Sequence, residues 1–95
     1  MKIKEYIENG ATILDVRTPK EYMGGHVVGS INIPLQELPD RLDEIRSLKM
    51  PLVLCCASGA RSQAATNFLK QQNFDCQDGG SWLNLNFIKS EIHVK

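Results

Sequence analysis

The chain has no surplus of charge. Eleven Lys and Arg residues are matched by eleven Asp and Glu, giving a formal net charge of +0 over 95 residues. Proteins that bind nucleic acid or an anionic membrane through their overall field need a basic excess, so neither partner is expected. Any affinity for anions has to be built locally. Long hydrophobic runs are missing as well. No apolar stretch approaches the roughly 20 residues that a bilayer span requires. The opening Met1-Lys2-Ile3-Lys4-Glu5-Tyr6 lacks the apolar core of a secretory signal. Cysteine is scarce and odd in number: there are three, two of them adjacent as Cys55-Cys56. This count does not suit a disulfide framework, and it points to a reducing, cytoplasmic setting with at least one functional thiol. The two histidines and three cysteines show no paired ligand spacing, so neither a metal nor another cofactor is expected. Repeats, linkers and low-complexity segments are also absent. The expectation is one domain over residues 1–95.

What is present alternates between short strand-like and helix-like segments. Ile3, Tyr6 and Ile7 have helical spacing, and Asn9-Gly10 stops the segment. Thr12-Ile13-Leu14 reads as a strand ending near Asp15-Val16-Arg17. Thr18, Pro19 and Glu21 form a capping box with proline at the first helical position, and Gly24-Gly25 ends that short helix. Ile31-Asn32-Ile33 reads as a second strand. Leu35 to Leu38 reads as a turn, and Pro39 as the opening of a helix striped by Leu38, Leu42, Ile45 and Leu48. Leu52-Val53-Leu54-Cys55 is a continuous apolar run, expected as a buried central strand with Cys55 at its end. A helix is expected over 62–72, ended by Asn73 in a left-handed conformation. Phe74-Asp75-Cys76-Gln77 reads as the last strand, Asp78-Gly79-Gly80-Ser81 as a loop, and Trp82 to Ile92 as a terminal helix. Strands alternating with helices imply a parallel sheet covered on both faces, with ligands at the carboxyl ends of the strands. Asp15-Val16-Arg17 and the Cys56 loop both fall at such ends.

The stretch with chemical potential is Cys55-Cys56-Ala57-Ser58-Gly59-Ala60-Arg61-Ser62. A strand that leads through a cysteine-bearing loop into a helix aims backbone N–H groups and the positive helix end at one point. A cysteine held there is favoured as the nucleophilic thiolate.

Four segments in order resemble a known family, the single-domain rhodaneses, which are sulfurtransferases. They are Asp15-Val16-Arg17 with Glu21-Tyr22; Gly25-His26-Val27-Val28-Gly29-Ser30-Ile31-Asn32-Ile33-Pro34; Cys56-Ala57-Ser58-Gly59-Ala60-Arg61-Ser62; and Gly79-Gly80-Ser81-Trp82. The resemblance implies an α/β rhodanese-like fold, with a small parallel sheet of about four to five strands flanked by helices on both faces. It implies a Cys56 persulfide as intermediate, with Ala57, Ser58, Gly59, Ala60, Arg61 and Ser62 as the substrate-binding loop. The implied partners are a small-molecule sulfur donor, such as thiosulfate or another persulfide donor, and a thiol or cyanide acceptor. A protein sulfur acceptor is a further one. The chain departs from the family in two places. It begins at a helix where the family usually has a strand first. Ala57 stands where a basic residue is frequent, which leaves less charge for thiosulfate.

The register carries the reaction class. Five residues separate Cys55 from Arg61, which is phosphatase-loop spacing; four separate Cys56 from Arg61, a tighter loop suited to one sulfur. Gly59 stands three after Cys56, as in the resembling loops, which favours Cys56 as nucleophile over a phosphatase built on Cys55. A third reading is a persulfide carrier or interaction module for a protein partner. Blander readings stand beside each residue. Cys56 could be a small buried residue at a strand end. Cys55 suits a buried core position better than a resolving thiol, since adjacent cysteines pair only with strain. Cys76 suits packing. Asp15 and Arg17 are expected to brace the loop rather than exchange protons, and Arg61 to add charge near the site or to anchor the loop on a carboxylate such as Asp15. His26 is expected to hydrogen-bond backbone in a turn, and Trp82 to be a core or rim aromatic.

Overall fold

A computed structural model describes residues 2–93. The elements in order are α1 (Ile3–Glu8), β1 (Thr12–Asp15), α2 (Pro19–Met23), β2 (Ile31–Asn32), a 3₁₀ helix (Leu35–Arg41), α3 (Leu42–Arg46), β3 (Leu52–Cys56), α4 (Ala60–Gln71), β4 (Cys76–Ser81) and α5 (Trp82–His93). The four strands form one sheet in the order β2-β1-β3-β4, and every pair is parallel. This is the expected fold class.

The central strand β3 is buried along its whole length. Its pleat divides the core in two, because successive side chains point to opposite faces. Leu52, Leu54 and Cys56 enter one cluster with Leu38, Ile45, Ala65 and Leu69, under α3 and α4. Val53 and Cys55 enter the other with Ile7 and Leu85, under α1 and α5. Helices therefore cover both faces.

The capping box before α2 forms as expected: Glu21 N–H donates to Thr18 Oγ1 at 3.2 Å, and Thr18 N–H donates to Glu21 Oε1 at 3.0 Å. Asn73 adopts φ 68° after α4. Three expectations need correction. The helix placed after Pro39 is a 3₁₀ segment that already begins at Leu35 and contains Pro39, with α3 starting only at Leu42. A proline ring clashes with the carbonyl four residues back, so the tighter 3₁₀ winding carries the chain past it. The apolar stripe survives, with Leu38 and Ile45 buried and Leu42 and Leu48 packed against them. Secondly, β3 ends at Cys56, not Cys55, and α4 begins at Ala60 rather than Ser62.

Thirdly, the last strand lies later than the alternation at 74–77 suggests, and Asp78-Gly79-Gly80-Ser81 belongs to it. Glycine weakens strands intrinsically, but here the partner decides. The exposed edge of β3 would leave buried backbone groups unpaired without β4. The register steps from Leu54↔Asp78 to Cys55↔Gly80, which leaves Gly79 as the extra residue of a bulge. A Cβ at Gly79 would sit 2.7 Å from Val53 Cγ1, 2.9 Å from Leu54 O and 3.0 Å from Leu85 Cδ1. Only glycine fits. Replacing Gly79 by alanine is expected to destabilise the fold by about 1–3 kcal/mol, a fall in Tm of roughly 4–8 °C per kcal/mol. A thermal melt with Tm unchanged would show that this contact relaxes freely.

Candidate active site

The carboxyl ends of β1 and β3 lie side by side, with Asp15 paired to Cys55 in register. This brings the chain's two candidate segments to one edge of the sheet. Past Cys56 the backbone turns sharply. Gly59 takes φ 106°, ψ −17°, a left-handed conformation that an L side chain resists. The turn folds the loop back over the end of β3. Gly59 N–H donates to Cys56 Sγ at 3.0 Å, and Ser62 N–H, in the first turn of α4, donates at 3.4 Å. Two amides and the helix end thus converge on one sulfur atom.

Burial works against charge on Cys56, but the hydrogen bonds from Ser62, Gly59 and Ser58 outweigh it. The Cys56 pKa is therefore lowered from the ordinary thiol value. The Ser62 hydroxyl is itself shared: it lies 3.0 Å from Gly59 O and 2.7 Å from Asp78 Oδ1. A hydroxyl has one proton to give, so its support for the sulfur competes with the carboxylate. Cys56 has no exposed surface, whereas Ala57, Ser58 and Ala60 around it are exposed. A reactant must enter over this loop.

Cys55 is chemically the opposite of its neighbour. It faces the α1/α5 core, and burial, reinforced by the Asp15 charge, pushes its thiol up to about 12. The two sulfurs sit on opposite faces of the sheet, which excludes a disulfide between them in this fold. Cys76 is buried in the other cluster, and burial raises its pKa too. It is level with Leu52, four residues along β3 from Cys56, or about 13 Å. All three cysteines are free.

Asp15 and Arg17 pair with each other. Arg17 Nη2 meets Asp15 Oδ2 at 2.8 Å, with the two side chains 5% and 0% exposed. Arg17 also donates to Gly25 O at 2.7 Å and lies over the Trp82 ring, 4.7 Å from its centroid. Asn32 Nδ2 donates to the carbonyls of Asp15 and Arg17 at 3.0 and 2.9 Å. These contacts tie the ends of β1 and β2, the 24–29 turn and the start of α5 into one frame. Arg61 does not reach Asp15, whose carboxylate Arg17 already occupies. Its partner is Glu21, through Nη1–Oε1 at 2.7 Å and Nη2–Oε2 at 2.9 Å. His26 Nδ1 lies 2.9 Å from Tyr22 O, and its ring stacks on Tyr22. Trp82 is half-buried against the second core cluster.

Glu21 and Asp78 escape a reading of the sequence as members of the site. Glu21 is visible in the sequence as the end of a capping box and in the first resembling segment, but nothing local announces a partner forty residues away. Asp78 is hidden by the glycines that make its segment look like a loop. Among the described residues, no group of three or more His, Cys, Asp or Glu could hold a metal ion, and no helix is long and apolar enough to cross a membrane.

Cys56 is expected to titrate below an ordinary thiol. Since the thiolate is the reactive form, iodoacetamide labelling of Cys56 should fall only as pH drops through that lowered value, while Cys55 stays unlabelled at neutral pH. Ser62→Ala removes the hydroxyl and should move the Cys56 midpoint upward. An unmoved midpoint would mean that the hydroxyl belongs wholly to Asp78.

The model of the family described as "Rhodanese-like domain" matches residues 2–84. Thiosulfate sulfurtransferase GlpE of Pseudomonas aeruginosa is 34% identical over 82 residues, covering 83% of this chain and 74% of that protein. The uncharacterized protein YqhL of Bacillus subtilis is 44% identical over 61 residues, which cover 64% of this chain; the match spans about half, 48%, of its length. The crystal structure of a rhodanese-related protein from Thermoplasma volcanium superposes with a TM-score of 0.74 at 34% identity, covering 90% of this chain and 83% of that one.

Proposed function

The chain belongs to the rhodanese-like domain family of sulfurtransferases, and on that premise we propose that Cys56 is the nucleophile that takes up and passes on a sulfane sulfur. The observation that supports this best is the cradle around Cys56 Sγ, with Gly59 N–H at 3.0 Å and Ser62 N–H at 3.4 Å. In the first half-reaction the Cys56 thiolate attacks the outer sulfur of thiosulfate or another persulfide donor. The donor's S–S bond breaks, its electron pair leaves with sulfite or a thiolate, and Cys56 becomes a persulfide. In the second, a thiolate or cyanide acceptor attacks the outer sulfur and returns Cys56 as the thiolate.

Both half-reactions place negative charge on sulfur at the loop. Fixed N–H donors suit this, because they need no reorganisation as the charge moves from Sγ to the outer sulfur. Ala57, Ser58, Gly59, Ala60, Arg61 and Ser62 form the loop that would receive the substrate. Asp15 and Arg17 act behind it as a brace. The domain would work as one unit over residues 1–95 in a reducing, cytoplasmic setting, where three free thiols persist. A phosphatase built on Cys55 is disfavoured, since its sulfur faces the opposite core and its thiol is held up to about 12. A second reading, a persulfide carrier serving a protein partner, draws support from the absence of a charged side chain at Ala57. Slow turnover of small donors, together with rapid persulfide exchange with one protein partner, would favour it.

Incubation with a sulfur donor and cyanide should yield thiocyanate. Cys56→Ser should lower the rate by roughly a thousandfold or more, while Cys55→Ser should keep most of it. Loss on Cys55→Ser with retention on Cys56→Ser would overturn the register. Cleavage of an aryl phosphate without thiocyanate formation would overturn the reaction class.

A further inference from the structure

Arg61 is the guanidinium of the active loop, and an anionic donor would be expected to meet it first. Arg61 stands in the first turn of α4 beside Ser62, whose N–H reaches Cys56 Sγ at 3.4 Å, and its pKa is raised chiefly by hydrogen bonds to Glu21 and in smaller part by the charge of Cys56. Yet both terminal nitrogens are taken, at 2.7 and 2.9 Å, by the two oxygens of Glu21. The pair is 36% and 35% exposed, so it is open to solvent. Glu21 is fixed from behind by the Thr18 N–H and hydroxyl, at 3.0 and 3.1 Å from Oε1. Hydrogen bonds from Arg61, then Thr18, hold its pKa down to about 2. At any working pH the pair is therefore neutral overall.

The other charges repeat the pattern. Arg17 is closed off by Asp15, by Gly25 O and by the face of Trp82. The residue after the thiol, Ala57, carries no charge. Asp78 adds a carboxylate on the Ser62 side of the loop. What remains to receive an anion is backbone N–H.

We propose that Glu21 is a specificity-determining residue, which neutralises Arg61 and so turns the site from doubly charged donors such as thiosulfate toward alkyl or peptidyl persulfides. This rests on the reading of Cys56 as the sulfur-accepting thiolate. With thiosulfate, the Cys56 thiolate attacks the outer sulfur, the S–S bond breaks, and sulfite leaves with the bonding pair. Three negative charges share the encounter. With a persulfide R–S–SH, the same attack forms Cys56–S–SH and releases R–S⁻, and one negative charge is present throughout. An ionised persulfide brings two to the encounter. Repulsion between like charges a few ångströms apart in a partly screened site grows with their product. A cradle of neutral N–H groups fits the lower charge.

The test compares thiosulfate with cysteine persulfide as donors for the intact chain. Glu21→Gln keeps an acceptor for Thr18, as capping boxes allow, and makes the mouth more positive by one charge. It should raise the ratio of kcat/KM for thiosulfate over that for cysteine persulfide by roughly tenfold. Ala57→Lys adds a cation without touching the α2 cap and should raise the ratio in the same direction. In the unaltered protein, added salt should speed the thiosulfate reaction by screening repulsion, and Glu21→Gln should weaken that effect. A ratio in Glu21→Gln within about twofold of the unaltered protein overturns the role of Glu21, whatever Ala57→Lys does. If neither donor leaves sulfur on Cys56, the sulfur-transfer reading falls and this role with it. Sulfur loading from both donors at an unchanged ratio removes Glu21 alone.

Discussion

The pleat of β3 is the constraint on which the rest depends. A strand buried on both faces must send alternate side chains into two separate cores, and the adjacent cysteines fall on either side of that division. Cys55 joins Val53 in the α1/α5 core. Cys56 follows Leu52 and Leu54 toward α4. One step along the backbone separates a thiol held up to about 12 by burial from one whose pKa is lowered because hydrogen bonds to the loop overcome burial. A slip of one residue would exchange their surroundings. The bulge at Gly79 pins β4 against this register, through a glycine that admits no side chain.

Around that sulfur the molecule uses Arg17 and Arg61 differently. Arg17 is buried with Asp15 and serves as a frame; removing either partner would strand a charge in the core. Arg61 is half-exposed with Glu21, and a pair of that kind contributes little to stability. Its weight lies in what it denies the site, namely an uncommitted cation. The zero net charge of the chain has a local counterpart in this pair. The amides of Gly59 and Ser62 and the end of α4 converge on one sulfur atom.

Much of this was legible in the sequence, and the reasons for the remainder are physical. The α2 cap, the β3 run and the terminal helix are local patterns, and local patterns encode their own geometry. The order of motifs was enough to place Asp15-Val16-Arg17 and the Cys56 loop on one edge, because a parallel sheet gathers its carboxyl ends. Three things depended on distant partners. The glycines at 79 and 80 read as a loop, and only the unpaired edge of β3 makes them a strand. Pro39 marks a helical segment, but the tighter winding upstream follows from its ring. Arg61 could be expected to find a carboxylate, but which one was decided by Arg17, which had already taken Asp15. Glu21 then serves Thr18 and Arg61 at once, and one-dimensional spacing shows only the first.

The most direct measurement is the position of the transferred sulfur. After brief exposure to cysteine persulfide and blocking of the remaining thiols, peptide mapping by mass spectrometry should find one added sulfur, with fragment ions placing it on Cys56. An added sulfur on Cys55 or Cys76, or none on any cysteine, would contradict the account.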